Sequence, residues 1–242
     1  MSTAVMDTVR YSSDGQLLDI HRAASADAPT VLLWHGRGPA ERDVLGALAA
    51  SVARLGATVV VPDWHPEAPD GGRPHLAASL RFTWDFVRDP AEIVLVGWSL
   101  GGRAAMATAL RADPPEGWRP AAVVGIAARY NQPEPLLGLP SPMAVCADAP
   151  PLPVHLVHGT ADRVCDFANA LEFRSVLAAC GRPAPLTELA TGHSGAVMAE
   201  YAPELGRCRP ARTGSAHREG LRTAEVIARA AGLPARGARA GG

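Results

Sequence analysis

The sequence predicts an α/β fold on a mostly parallel sheet of about eight strands, with helices covering both faces. Three observations carry that expectation. Short apolar runs rich in β-branched residues recur along the chain, as strands buried on both faces require. From Thr30 onward they alternate with segments whose apolar residues fall at helical spacing. The length of 242 residues suffices for one large core, so residues 1–242 are expected to form a single domain.

In order, Thr8 to Tyr11 and Gln16 to His21 read as a hairpin, with Asp14-Gly15 supplying the turn. Thr30 to Trp34 is an apolar strand running into His35-Gly36-Arg37-Gly38-Pro39. Glu41 to Leu55 places Leu45, Leu48, Val52 and Leu55 on one helical face, and Gly56 sits where that helix would stop. Thr58 to Val61 is a buried strand, and a long loop follows to Pro74. Leu76, Leu80, Trp84 and Val87 mark a helix closed by Asp89-Pro90. Ile93 to Val96 is a strand, and Arg103 to Arg111 is an alanine-rich helix. Ala121 to Ile126 is the next strand.

Residues 127–153 are irregular and rich in proline; lying over strand ends, they are a candidate substrate-side loop. Val154 to Val157 reads as a strand, Phe167 to Cys180 as a helix and Leu186 to Leu189 as a last short strand. A loop to Gly214 and a helix from Ala216 to Ala231 complete the fold, with residues 233–242 expected to fray.

Composition excludes several functions. The net charge of −1 gives no global field for nucleic acid or an anionic membrane. Every basic residue is arginine, so lysine Schiff bases and a P-loop are ruled out. Cys146, Cys165, Cys180 and Cys208 show no Cys-x-x-Cys spacing, which disfavours a zinc site. The stretch from Met1 to Gly15 lacks the charged and apolar segments of a secretory signal, and no apolar run is long enough to span a membrane. A cytoplasmic protein with reduced thiols is expected. From Arg207 on, eight arginines face two glutamates, a balance that a solvated helix face and tail explain without a nucleic-acid partner.

Chemistry concentrates after the strands. Gly97-Trp98-Ser99-Leu100-Gly101 is the Gly-x-Ser-x-Gly pattern of a nucleophile elbow, set between a strand and a helix as that turn requires. Asp162 follows the strand ending in His158-Gly159, and His193 follows the last strand. Positions at the ends of parallel strands gather at one sheet edge, where ligands bind. Ser99, Asp162 and His193 are therefore expected to converge. Asp166 could serve as the acid, although it opens the next helix as a cap residue, and Asp148 is a weaker rival. His155 sits inside a strand, while His35 and His158 precede glycines and read as turn formers. Cys165 reads as a small buried thiol.

In these motifs the chain resembles the α/β-hydrolases, most closely small lid-poor members related to dienelactone hydrolases and carboxylesterases. The likeness rests on Trp34-His35-Gly36-Arg37-Gly38, Gly97-Trp98-Ser99-Leu100-Gly101-Gly102, His158-Gly159-Thr160-Ala161-Asp162 and Gly192-His193, in that order. Dienelactone hydrolases use a cysteine nucleophile. Ser99 departs from them and favours ester hydrolysis.

The resemblance implies Ser99 as nucleophile, His193 as base and Asp162 as its orienting acid. It also implies an oxyanion hole from the backbone N–H groups of Leu100 and Arg37. It implies a small-molecule ester substrate, with no metal, organic cofactor, nucleic acid or membrane partner. An acyl thioester or peptide substrate, or a non-catalytic binding scaffold, would use the same framework. Trp34, Trp64 and Trp98 end predicted strands at the presumed edge, so they either wall a substrate pocket or simply pack. Arg37 and Arg103 could attract an anionic substrate.

Overall fold

The computed structural model describes residues 6–133, 138, 140–147, 149 and 151–234. Asp148, most of the far tail and part of the proline-rich segment lie outside them. Eight strands form one sheet in the order β1-β2-β4-β3-β5-β6-β7-β8. They are β1 (Met6–Arg10), β2 (Leu17–His21), β3 (Thr30–Trp34), β4 (Thr58–Pro62), β5 (Val94–Trp98), β6 (Ala122–Ile126), β7 (Val154–Gly159) and β8 (Leu186–Leu189). β1 and β2 are antiparallel, as is the β2–β4 pairing; every pairing from β4 to β8 is parallel. The first hairpin turns where expected: Gly15 takes φ +90° and its N–H donates to Ser12 O.

Alternate residues of each strand serve opposite faces. Leu32, Trp34, Leu95, Val123 and Leu156 pack beneath α2 (Arg73–Phe86), α3 (Leu100–Leu110) and α5 (Ala168–Ala179). Val31, Leu33, Val94, Val96, Val124 and Val157 pack beneath α1 (Gly46–Leu55) and α6 (Gly214–Ala230). Burying each such Val, Leu or Ile contributes about 1.5–3 kcal/mol against its exposed state. Strands β3, β4, β5 and β6 are buried at every position, which is why they lack polar alternation.

Several elements differ from expectation. α1 starts at Gly46 rather than Glu41. The N–H groups of Val44, Leu45 and Gly46 donate three residues back, and the Arg42 N–H donates to Asp63 Oδ1 at 3.0 Å, drawing this turn off the helix axis. α3 starts at Leu100, directly after Ser99. The stretch expected as a loop before Gly214 contains a second sheet, β9 (Ala199–Ala202) paired antiparallel with β10 (Arg207–Pro210). Arg209 pairs across it with Glu200 at 3.0 Å, and Arg207 reaches Asp43 at 2.6 Å. A short helix α4 (Pro142–Val145) interrupts the irregular 127–153 segment.

The chain runs from β4 on one side of β3 to β5 on the other, so strand order reverses there. A reversal of this kind leaves a crevice beyond the carboxyl ends of the two strands. The loops after Trp34 and Trp98 border it.

Candidate active site

Ser99 is the residue between β5 and α3, with φ +55° and ψ −117°. A side chain rarely adopts that conformation without surrounding structure to enforce it. The flanking glycines are part of the enforcement. A Cβ on Gly97 would stand 2.1 Å from Gly101 O, and one on Gly101 would stand 2.2 Å from His35 O. The elbow is thus pressed against itself and against the loop after β3. Leu100 opens α3, where a backbone N–H has no acceptor four residues back and carries the positive end of the helix dipole.

Asp162 hangs in the turn after β7, its side chain fully buried. Its Oδ1 accepts from the N–H groups of Val164 and Cys165 at 2.8 and 2.9 Å. Its Oδ2 lies 2.8 Å from His193 Nδ1 and 3.3 Å from His158 Nε2. Burial works to raise its pKa, but hydrogen bonds from His158 and His193, the His193 charge and the Cys165 N–H outweigh it. The carboxyl is held far below the usual carboxylate range. Asp166 is exposed and accepts from the Ala168 N–H at 2.9 Å, a helix-opening role.

His193 keeps 13 % of its side chain exposed, so it is reachable while the Asp162 carboxylate is not. With Nδ1 facing a carboxylate oxygen, that nitrogen donates and Nε2 is left as an acceptor. Trp98, next to Ser99, holds the ring from below: its Nε1 donates to His193 O at 3.2 Å and the ring centroids are 5.2 Å apart. Among the described residues no Ser99–His193 hydrogen bond is formed. Burial, and next the Asp162 charge, push the Cys165 thiol upward, with Arg129 and the Ser99 hydroxyl opposing them.

A cavity of about 220 Å³ opens on Ser99, lined by Arg37, Leu100, Arg103, Arg129, Gln132, Val164 and Cys165. Trp34, Trp64 and Trp98, which could have walled a pocket or packed, are not among its lining residues. Trp34 is fully buried beneath the sheet, its Nε1 donating to Ser79 Oγ at 3.0 Å. Trp64 is fully buried and stacks on His35 with ring centroids 5.3 Å apart. Trp98 contacts His193 and is not among the residues lining the cavity. Arg37 is largely exposed, 3.7 Å from Glu67. Arg103 donates to Gln132 Oε1 at 2.9 Å, and Arg129 to Val164 O. A larger depression of about 1,060 Å³ involves Thr30 and Thr58, at the amino ends of β3 and β4. That is the opposite edge of the sheet from Ser99.

Two features went unseen in the sequence. His158, expected to shape a turn, touches the same carboxylate oxygen as His193 and lies 2.8 Å from Cys165 O. Both neighbours only accept, so its Nε2 carries the proton. Cys165 is the buried thiol that was expected, and it also lines the cavity. The His158/Asp162 spacing of four, directly after a strand, was the one available signal for the first. Among the described residues no cluster could hold a metal ion, and no helix is long and apolar enough to cross a membrane.

No family model and no curated protein matches the sequence. Solved structures do match its fold. A protein assigned as a dienelactone hydrolase from Klebsiella pneumoniae superposes with TM-score 0.69 at 15 % identity, covering 96 % of this chain and 99 % of that one. The butyrate-bound thermophilic esterase Est2 of Thermogutta terrifontis gives 0.71 at 16 % identity, with 97 % of each chain covered. The same esterase phosphoramylated by tabun gives 0.68 at 16 %, covering 94 % of each. An acylaminoacyl peptidase of Pyrococcus horikoshii gives 0.62 at 14 %, covering 95 % of this chain and 41 % of that one. At these identities the likeness is one of fold. The chain has the α/β-hydrolase fold.

Proposed function

We propose that this chain is a serine hydrolase that cleaves small carboxylic esters through an acyl-enzyme intermediate. The observation that carries the reading is the His193–Asp162 contact at 2.8 Å, standing beside an elbow that forces Ser99 to positive φ. The fold's esterase neighbours support it, including one bound to butyrate and one phosphoramylated by tabun. The cavity of about 220 Å³ suits a small substrate.

In this reading the Ser99 hydroxyl, which makes no hydrogen bond to His193 at rest, turns to His193 Nε2, which takes its proton as Oγ attacks the ester carbonyl. Apo serine sites often carry such loose contacts and tighten with substrate. Asp162 keeps the His193 proton on Nδ1 and stabilises the ring once it is charged. The oxyanion would be met by the N–H groups of Leu100 and Arg37, each worth about 3–4 kcal/mol to the transition state. His193 then gives its proton to the departing alcohol. Water, deprotonated by the same ring, releases the acid and restores Ser99.

A fluorophosphonate probe should label the chain stoichiometrically on Ser99 and fail on Ser99→Ala. Unlabelled wild type would turn the reading toward a non-catalytic scaffold. A graded series of p-nitrophenyl esters and acyl thioesters, with a peptide substrate alongside, separates the three classes of acyl donor that the same machinery could process.

A further inference from the structure

Cys146 and Cys180 are 34 positions apart, in segments with no Cys-x-x-Cys pattern, yet their sulfurs lie 3.0 Å from each other. Cys146 caps α4 and is buried, while Cys180 caps α5 and is half-buried. The other two thiols are engaged elsewhere, Cys165 beside Ser99 and Cys208 on β10. A disulfide needs the sulfurs at about 2.05 Å, so roughly 1 Å of approach closes the bond.

We propose that Cys146 and Cys180 are a reversible thiol–disulfide site, which ties the proline-rich segment to the end of α5 when a low-molecular-weight disulfide acts as oxidant. Cys180, the more accessible, attacks first: its thiolate displaces one thiolate from the oxidant and leaves a mixed disulfide on Cys180. The Cys146 thiolate then attacks the Cys180 sulfur and expels the second small thiolate. Two protein thiols lose two protons and two electrons, and one small disulfide becomes two thiols. Burial and the neighbouring Cys180 push the Cys146 thiol upward while Arg182 opposes them, so Cys146 stays protonated at rest and the first attack falls to Cys180.

The closed loop would contain β7, Asp162 and α5. α4 already packs on α5, and the Met143 N–H donates to Tyr130 O at 3.2 Å, with Tyr130 stacked on Phe173 of α5 at 4.4 Å. The bond would therefore lock an arrangement that exists in the reduced chain, restricting mainly the unfolded state.

The full chain is incubated with oxidised glutathione, quenched in acid, denatured, alkylated and peptide-mapped. A Cys146–Cys180 linked peptide is expected, with Cys165 and Cys208 alkylated, full reversal by dithiothreitol and a thermal midpoint several degrees higher. Cys180→Ser and Cys146→Ser should each lose both the crosslink and the rise in midpoint. A chain that keeps four alkylatable thiols, stops at a glutathione adduct, or pairs Cys165 or Cys208 overturns the proposal. So does a crosslink that leaves the midpoint unmoved.

Discussion

His158 Nε2 stands 3.3 Å from Asp162 Oδ2, the same oxygen that His193 Nδ1 approaches at 2.8 Å. The buried acid of the proposed triad is therefore flanked by two imidazoles and two backbone N–H groups. Removing the second imidazole with His158→Phe keeps a ring in the buried space but takes one donor from the carboxylate. A hydrogen bond to a charged group contributes about 1.5–3 kcal/mol. Ester kcat should fall roughly 10- to 100-fold while KM holds. Asp162→Asn, which allows the wrong His193 tautomer, should cost on the order of 10⁴ in kcat. Steady-state kinetics on the best p-nitrophenyl ester checks both; a His158→Phe enzyme at full kcat would remove His158 from the positioning of Asp162.

Gly101 faces the carbonyl of His35 so closely that a methyl group has nowhere to go. A Cβ there would lie 2.2 Å from His35 O and 2.7 Å from Trp34 O, both backbone atoms that cannot rotate aside. Gly101→Ala should push α3 away from the loop after β3, separating the Leu100 and Arg37 N–H groups. Fluorophosphonate labelling should slow by at least the roughly 10²-fold associated with one oxyanion donor. The thermal midpoint should drop as well. Normal labelling of a folded Gly101→Ala chain would place the oxyanion site elsewhere.

These relationships were legible in the sequence to different degrees. The parallel strands could be read because burial on both faces demands uninterrupted apolar runs, and Val94 to Val96 or Val59 to Val61 show nothing else. The elbow could be read because two glycines around Ser99 follow from local crowding. The β9–β10 hairpin could not. Its strands are four residues long with exposed Glu200, Tyr201 and Arg209, and its cross-strand ion pair exists only once the chain has turned at Gly206. Which of the two readings of the tryptophans applies was not legible for a related reason. Ending a strand does not decide which way a ring points, and Trp34 follows the face of Leu32 into the core. The approach of Cys146 to Cys180 depends on how α4 and α5 dock, which no spacing encodes.

His35 makes acid stability a test of the loop after β3. It is fully buried, Nδ1 lies 3.0 Å from Gly36 O, and Nε2 accepts from the Trp64 N–H at 3.1 Å. Burial, the largest cause, lowers its pKa to about 3, with the hydrogen bond to Gly36 O opposing and the charges of His65 and Arg207 adding to the shift. Folded His35 is thus neutral where the unfolded chain, near 6.5, takes up a proton. The unfolded state binds more protons between those values, so stability is complete above pH 6.5 and falls as pH drops toward 3. Each pH unit in that window costs up to about 1.4 kcal/mol. The His35 ring should stay neutral by NMR at pH 5; titration near 6.5 in the folded protein would contradict its buried, accepting Nε2.

Arg37, Arg103 and Arg129 all line the cavity that opens on Ser99. If the hydrolase reading holds, this cationic wall favours esters that carry a carboxylate away from the scissile bond. Arg37 tests the idea cleanly, because its side chain is 74 % exposed and its proposed catalytic group is the backbone N–H, which alanine retains. Exposed charges interact by only about 0.2–1 kcal/mol, so Arg37→Ala should lower kcat/KM for carboxylated esters by at most about fivefold. Neutral esters of equal size should be unaffected. The wild-type preference should also shrink as salt rises from 0.01 to 1 M, since the Debye length contracts from about 30 to 3 Å. Equal losses on charged and neutral esters would mean that Arg37 shapes the loop rather than reading substrate charge.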